Sequence, residues 1–130
     1  MRLSSLNHPR TWRFLLAGYW LTLFVLTHLP RVGPLSVAAK YDKLAHAAAY
    51  AVLAVLFAAV RQIGAGLLSV SQLAWAWLAL MIYAGLDEWT QSFVGRHASA
   101  WDWMADAFGA LLGLALFAWL GPRMASGRGQ

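Results

Sequence analysis

Cysteine is absent from the 130-residue chain, which excludes disulfides and thiolate metal sites and leaves the redox compartment undetermined. Charge is scarce as well. Only 12% of the residues are charged against 61% apolar, a balance well outside that of soluble globular domains. Acids are scarcer than bases, five against ten, yet the net charge of +5 does not point to nucleic acid. The basic residues scatter around apolar runs and form no polybasic stripe, so anchoring in a bilayer explains them better. Also missing are an H-E-x-x-H pair, a phosphate-binding glycine loop and any nucleophile motif, the usual handles on hydrolases and nucleotide enzymes. There is no internal repeat or low-complexity tract, and the length suits one domain.

What the chain does have is four apolar runs, at residues 14–29, 44–60, 67–86 and 104–120. Each is near the short end of the roughly 20 residues a bilayer demands, with Trp and Tyr available to complete the spans at the interfaces. The second run contains His46 as its only ionisable group and shows no polar face, as a surface helix of a soluble bundle would. The fold expected is therefore all-α, a bundle of four transmembrane helices. Pro30, Gly33 and Pro34 break the first helix and begin a loop ending near Asp42. Arg61, Gly64 and Gly66 mark a tight second connection, and Gly95 a third turn. Gly121 and Pro122 are expected to end the fourth helix. This gives an N-terminal cytoplasmic segment at 1–13, a membrane domain at 14–120 and a disordered cytoplasmic tail at 121–130. A secretory signal peptide opens in the same basic-then-apolar way, but no A-x-A site follows and cleavage is not expected.

Orientation follows from the basic residues. Arg2, Arg10, Arg13, Arg61, Arg123 and Arg128 fall on the side of the termini, against Arg31, Lys40, Lys43 and Arg96 on the other. The modest bias favours both termini in the cytoplasm of a multi-pass inner-membrane protein.

The acids define the candidate site. Asp87, Glu88, Asp102 and Asp106 lie between the last two apolar runs, and Asp42 opens the second. An acid at membrane depth is expensive and usually faces a protein interior or a watery cavity. The expected topology brings three of the segments to one depth at the outer face. Asp42, His46 and Tyr50 recur every fourth residue, Asp87 pairs with Gln91 at the same interval, and Asp102 continues through Asp106, Gly109 and Gly113. Each stripe can then point into the bundle, and the polar groups are expected to share one outward-opening pocket with Arg96 over its mouth.

Every member has a structural explanation too. Asp42 can simply cap the second helix, and Asp102 can complete a capping box with Ser99. Arg96 suits phosphate or carboxylate but equally neutralises Glu88 or Asp102. Glu88, about 100° around a helix from Asp87, is expected to face water or headgroups. A lone His46 is commonly a satisfied core residue, and the register with Asp42 and Tyr50 is what raises its functional weight. For Asp87 and Asp106 the alternative is a buried hydrogen-bond network. Gly109 and Gly113 spell G-x-x-x-G, a seam for close helix packing, and Trp89, Trp101 and Trp103 an interfacial belt.

The same residues carry a family resemblance. D-E-x-x-Q-x-F across Asp87, Glu88, Gln91 and Phe93, followed by Gly95-Arg96, Ser99, Asp102, Gly109 and Gly113, resembles the VanZ-like membrane family. Upstream, Asp42-Lys43, His46 and Tyr50 resemble the D-K-x-x-H-x-x-x-Y element that the family places before its second apolar segment. The chain departs from that pattern at Asp106, where the family usually shows Asn, and at Ala47, where it shows an aromatic. A carboxylate role for Asp106 is therefore not inherited. The resemblance implies a small integral membrane protein linked to glycopeptide (teicoplanin) resistance, and it names no reaction.

Three functions fit these residues. The first is a pocket that binds a cell-envelope component, an envelope precursor or lipid headgroup, with Arg96 meeting phosphate and the carboxylates meeting hydroxyls or cations. The second is an enzyme in which carboxylates hold Mg²⁺ or Ca²⁺ while His46 or Asp87 acts as general base on a lipid-linked headgroup. The third is a proton-coupled transporter or membrane scaffold, for which one four-helix chain is small and a homo-oligomer would be needed. Membrane lipids are partners under all three. The sequence identifies no cofactor or metal and does not decide whether a reaction is catalysed.

Overall fold

Small residues on the second and fourth apolar runs set the architecture. The computed structural model of the chain describes residues 9–29 and 35–126. These form α1 (Pro9–His28), α2 (Leu35–Ala65), α3 (Val70–Gln91), a 3₁₀ turn (Ser92–Val94) and α4 (Ala100–Ser126). There is no strand among the described residues, and the fold is an all-α bundle of four helices.

The most extensive pairing is between α2 and α4. A Cβ built on Gly109 would stand 2.6 Å from Ala47 Cα, and one on Gly113 would stand 2.9 Å from Ala51 Cα. Neither position admits a side chain, so the G-x-x-x-G seam brings the two backbones together. Where lipid replaces water, such close van der Waals packing takes over from the hydrophobic effect as the force between helices. The core continues from this seam. Tyr50, Leu53, Ala54 and Ala58 of α2 meet Ala110 and Leu114 of α4 and Leu80, Met81 and Ala84 of α3.

Aromatic donors pin the remaining helices. Trp77 Nε1 donates to the Ala107 carbonyl at 3.0 Å, and Trp103 Nε1 donates to the Met81 carbonyl at 3.1 Å, joining α3 to α4 twice. The Tyr19 hydroxyl donates to the Ala49 carbonyl at 2.9 Å, and Trp20 meets Tyr83 edge to face at 4.9 Å, holding α1 to α2 and α3. The outward surface is apolar, with Leu78, Ile82, Leu86, Leu111, Leu112 and Leu116 exposed. An apolar exterior around a polar interior is the arrangement a lipid solvent selects.

Three stretches are long and apolar enough to cross a membrane: Tyr41–Ile63, Val70–Val94 and Ala100–Leu120. The first helix is not among them. It is helical from Pro9 onward, not only from residue 14, and so includes Arg10 and Arg13. Two arginines together with Thr11, Thr22, Thr27 and His28 dilute its apolarity.

Other boundaries move as well. α2 is already helical at Leu35, so the loop does not extend to Asp42. α4 does not stop at Gly121-Pro122 but runs to Ser126, and residues 121–126 of the expected tail are helical. A proline deletes one backbone hydrogen bond and bends a helix more readily than it ends one whose neighbouring bonds are made. Residues 1–8, the breaks expected at Pro30, Gly33 and Pro34, and residues 127–130 lie outside the described residues.

Candidate functional site

The site is assembled by the short connection between α3 and α4. Gly95 takes φ 76°, a left-handed conformation that glycine adopts without strain, and the Arg96 amide returns to the Gln91 carbonyl at 3.2 Å. The chain then folds back so that Ser99 caps α4, its hydroxyl accepting from the Asp102 amide at 3.3 Å. The reciprocal half of the capping box is supplied from another helix. Glu88 of α3 accepts the Ser99 amide on Oε2 at 2.8 Å. Glu88, expected to face water or headgroups, is therefore buried, because the start of α4 lies across its side of α3. Its second oxygen, Oε1, is buried without a hydrogen-bond partner.

Asp102 is thereby released from the capping box and pairs with Lys43 of α2, which also approaches Asp42 at 3.8 Å. Asp42 itself stands about two turns inside α2 and does not cap that helix. Four residues further along, buried His46 donates from Nδ1 to Asp106 Oδ1 at 2.9 Å. His46 belongs to two clusters: with Asp42 and Asp102, and with Glu88 and Asp106, each set having its ligating atoms within 4.8 Å of one another. Tyr50 follows at the same spacing, 1% exposed, and its hydroxyl is the other buried group without a partner. The fourfold register thus puts Asp42, His46 and Tyr50 on one inward stripe.

Asp87 anchors a different set of hydrogen bonds. It accepts from Gln91 Nε2 at 2.9 Å, from the Thr27 hydroxyl at 3.3 Å and, at the long distance of 3.5 Å, from the Tyr83 hydroxyl. His28 Nδ1 lies 3.8 Å away. Asp87 and Asp106 are both interior, but they are held by different helices: Asp87 by the end of α1, Asp106 by α2.

A cavity of about 320 Å³ opens between α1 and α2. Leu23, Leu26, Ala45 and Ala49 give it an apolar wall; Thr27, Asp42, His46, Tyr50 and Arg96 give it a polar one. Arg96 donates from its guanidinium to the Thr27 carbonyl at 2.7 Å, closing the end of α1 and fixing the cation at the cavity edge. The polar residues expected in one pocket divide between this cavity and the helix interior. Asp87, Glu88, Gln91, Asp102 and Asp106 are buried but are not among the cavity's lining residues. Glu88, Asp102 and Asp106 are held among α2, α3 and α4, whereas Asp87, with Gln91 bonded to it, sits against the end of α1. His46 touches both regions, lining the cavity while bonding to Asp106.

Sequence reasoning gave no site role to Thr27 or Tyr83 and met Lys43 only as part of the D-K element and among the basic residues that set orientation. Tyr83 was detectable, four residues before Asp87 on the same helix. Thr27 and Lys43 bind acids some 60 positions away, at separations of 60 and 59, and no local pattern signals those pairs.

A protein-family model described as VanZ/LLP1 matches residues 4–121. The match covers nearly the whole chain, which belongs to that family, and with its membrane-length apolar helices it is a VanZ-like membrane protein. No curated protein and no solved structure matches the chain.

Proposed function

We propose that this member of the VanZ/LLP1 family is a multi-pass inner-membrane protein with cytoplasmic termini, and that its α1–α2 cavity binds the polar end of a cell-envelope molecule. The supporting observation is the two-sided lining of that cavity. Leucines and alanines offer an acyl or prenyl chain an apolar wall, while Arg96, Asp42, His46 and Thr27 offer a phosphorylated or hydroxylated headgroup ion pairs and hydrogen bonds. A volume of about 320 Å³ is at the small end of ligand pockets, suited to a headgroup and far too small for a glycopeptide. Any effect on teicoplanin susceptibility would then arise through an envelope component and not through capture of the drug.

Native mass spectrometry of protein extracted in mild detergent tests this reading. Wild type should carry a retained lipid-like mass, and Ala49→Trp, which fills the cavity from α2, should lose it at an unchanged melting temperature. Equal retention by both proteins would remove the cavity from consideration. Expressing the same pair in a susceptible host, the teicoplanin inhibitory concentration should rise with wild type alone.

A further inference from the structure

We propose that His46, Glu88 and Asp106 form a buried binding site for one first-row divalent metal ion, of the Zn²⁺ or Mn²⁺ type. The site adjoins the α1–α2 cavity through His46 and Tyr50, and it does not depend on what that cavity binds.

The argument starts from charge. Glu88 and Asp106 are 5% and 1% exposed, and their oxygens stand within 4.8 Å of each other and of the His46 ring nitrogen. Two carboxylates at that range in a dry interior repel, and one cation is needed for both to ionise. The neighbouring cluster of Asp42, His46 and Asp102 has such a cation in Lys43, which pairs with both of its acids. The deeper cluster does not draw on it: the principal charged neighbours of Asp106 are His46, Glu88 and Asp87. One imidazole, even when protonated, supplies a single charge against two or three.

The hydrogen-bond inventory points to the same place independently. Among the described residues, the only fully buried side-chain atoms without a partner are Glu88 Oε1 and the Tyr50 hydroxyl. Buried orphans of this kind are uncommon and call for an explanation. Glu88 belongs to the triad, and Tyr50 lies one turn beyond His46 on the stripe that faces it, with Glu88 and Asp106 among its charged neighbours. A metal ion would engage Oε1 directly, and a water bound to that ion would meet the tyrosine hydroxyl.

The donor set selects the ion. One imidazole nitrogen with two carboxylate oxygens suits zinc, manganese or iron better than magnesium or calcium, which favour all-oxygen shells. The 2.9 Å between His46 Nδ1 and Asp106 Oδ1 is near the spacing of adjacent ligands in a six-coordinate shell held at about 2.1 Å, and a tetrahedral shell needs only a few tenths of an ångström more. On binding, the metal occupies Nδ1 and the imidazole proton resides on Nε2, the ordinary tautomer of a metal-bound neutral histidine. The outer shell already exists: Ser99 N–H holds Glu88 by its other oxygen.

The test uses the full-length protein in detergent, stripped with chelator, dialysed and titrated with Zn²⁺ or Mn²⁺ alone. Wild type should take up about one equivalent, with a rise in melting temperature that chelator reverses. Glu88→Gln and Asp106→Asn, which keep size and hydrogen-bonding capacity, should each weaken binding at least tenfold. Asp87→Asn, outside the triad, removes a neighbouring charge but no ligand and should weaken binding far less than either. A wild-type melting temperature indifferent to both metal and chelator overturns the proposal without recourse to any variant. So does tight binding retained by Glu88→Gln and Asp106→Asn, or lost only in Asp42→Asn and Asp102→Asn, which would assign the ion to the other cluster. Loss of lipid retention in Ala49→Trp leaves the metal titration unaffected, so the two sites fail separately.

Discussion

Replacing Gly109 by alanine pits two opposite effects against each other. As a helix substitution it should stabilise α4 by about 1 kcal/mol, since glycine is the poorer helix former. As a packing substitution it should do the reverse, because the new methyl would stand 2.6 Å from Ala47 Cα, where ordinary contact requires 3.4 to 4 Å. The obstacle is backbone, so no rotamer change relieves it, and Ala47→Gly would not rescue it. α4 must move away from α2 by roughly 1 Å, opening voids along the seam; overpacking of this kind costs about 1–3 kcal/mol. Gly109 is one turn from Asp106, and the same displacement stretches the 2.9 Å bond from His46. We expect Gly109→Ala to destabilise by about 0–2 kcal/mol net, combining those two effects, and the double variant with Gly113→Ala to lose more. Gly18→Ala is the control, because its methyl would meet nothing within 4 Å, and it should be neutral or slightly stabilising. Reversible unfolding in a mixed detergent, followed by tryptophan fluorescence, measures all three. If Gly109→Ala proves as stable as Gly18→Ala, α2 and α4 are not in backbone contact and the seam is wrong.

Asp106→Leu should destabilise by about 1–3 kcal/mol by leaving His46 buried without its acceptor, whereas Asp106→Asn should unfold like metal-free wild type; equal loss in both would mean that the charge, not the hydrogen bond, holds the fold. Lys43→Met should cost about 1–3 kcal/mol by isolating the buried Asp102 carboxylate, less than for a fully buried pair because the lysine is half exposed, and Lys43→Arg should recover most of it. An unfolding midpoint unchanged in Lys43→Met would show that Asp102 does not need this partner. For topology, a reporter fused after Gln130 should be cytoplasmic and a cysteine at His97 should react with an impermeant thiol reagent in intact cells. Labelling only after lysis would reverse the orientation, and the native chain has no cysteine to confuse the result.

Much of the architecture was legible one residue at a time. The dearth of charge, the apolar runs and the G-x-x-x-G spacing are local properties, and each translates directly into helix, bilayer and close approach. The stripe of Asp42, His46 and Tyr50 was visible for the same reason: fourfold spacing on one helix is geometry that the sequence contains. Glu88 was misjudged because its burial comes from α4 lying across it, and periodicity within α3 carries no information about that neighbour. Asp102 looked like a cap because Ser99 stands three residues before it; only the folded chain shows that Glu88 takes the cap's second half and Lys43 takes the aspartate. The division of the polar residues into a cavity and a buried cluster was likewise a tertiary decision. It depends on how near two helices come, and that distance is set where Gly109 and Gly113 meet the backbone of α2. Residue type pointed these groups inside, Glu88 excepted, whereas the partners each one found there depended on contacts between helices far apart in sequence.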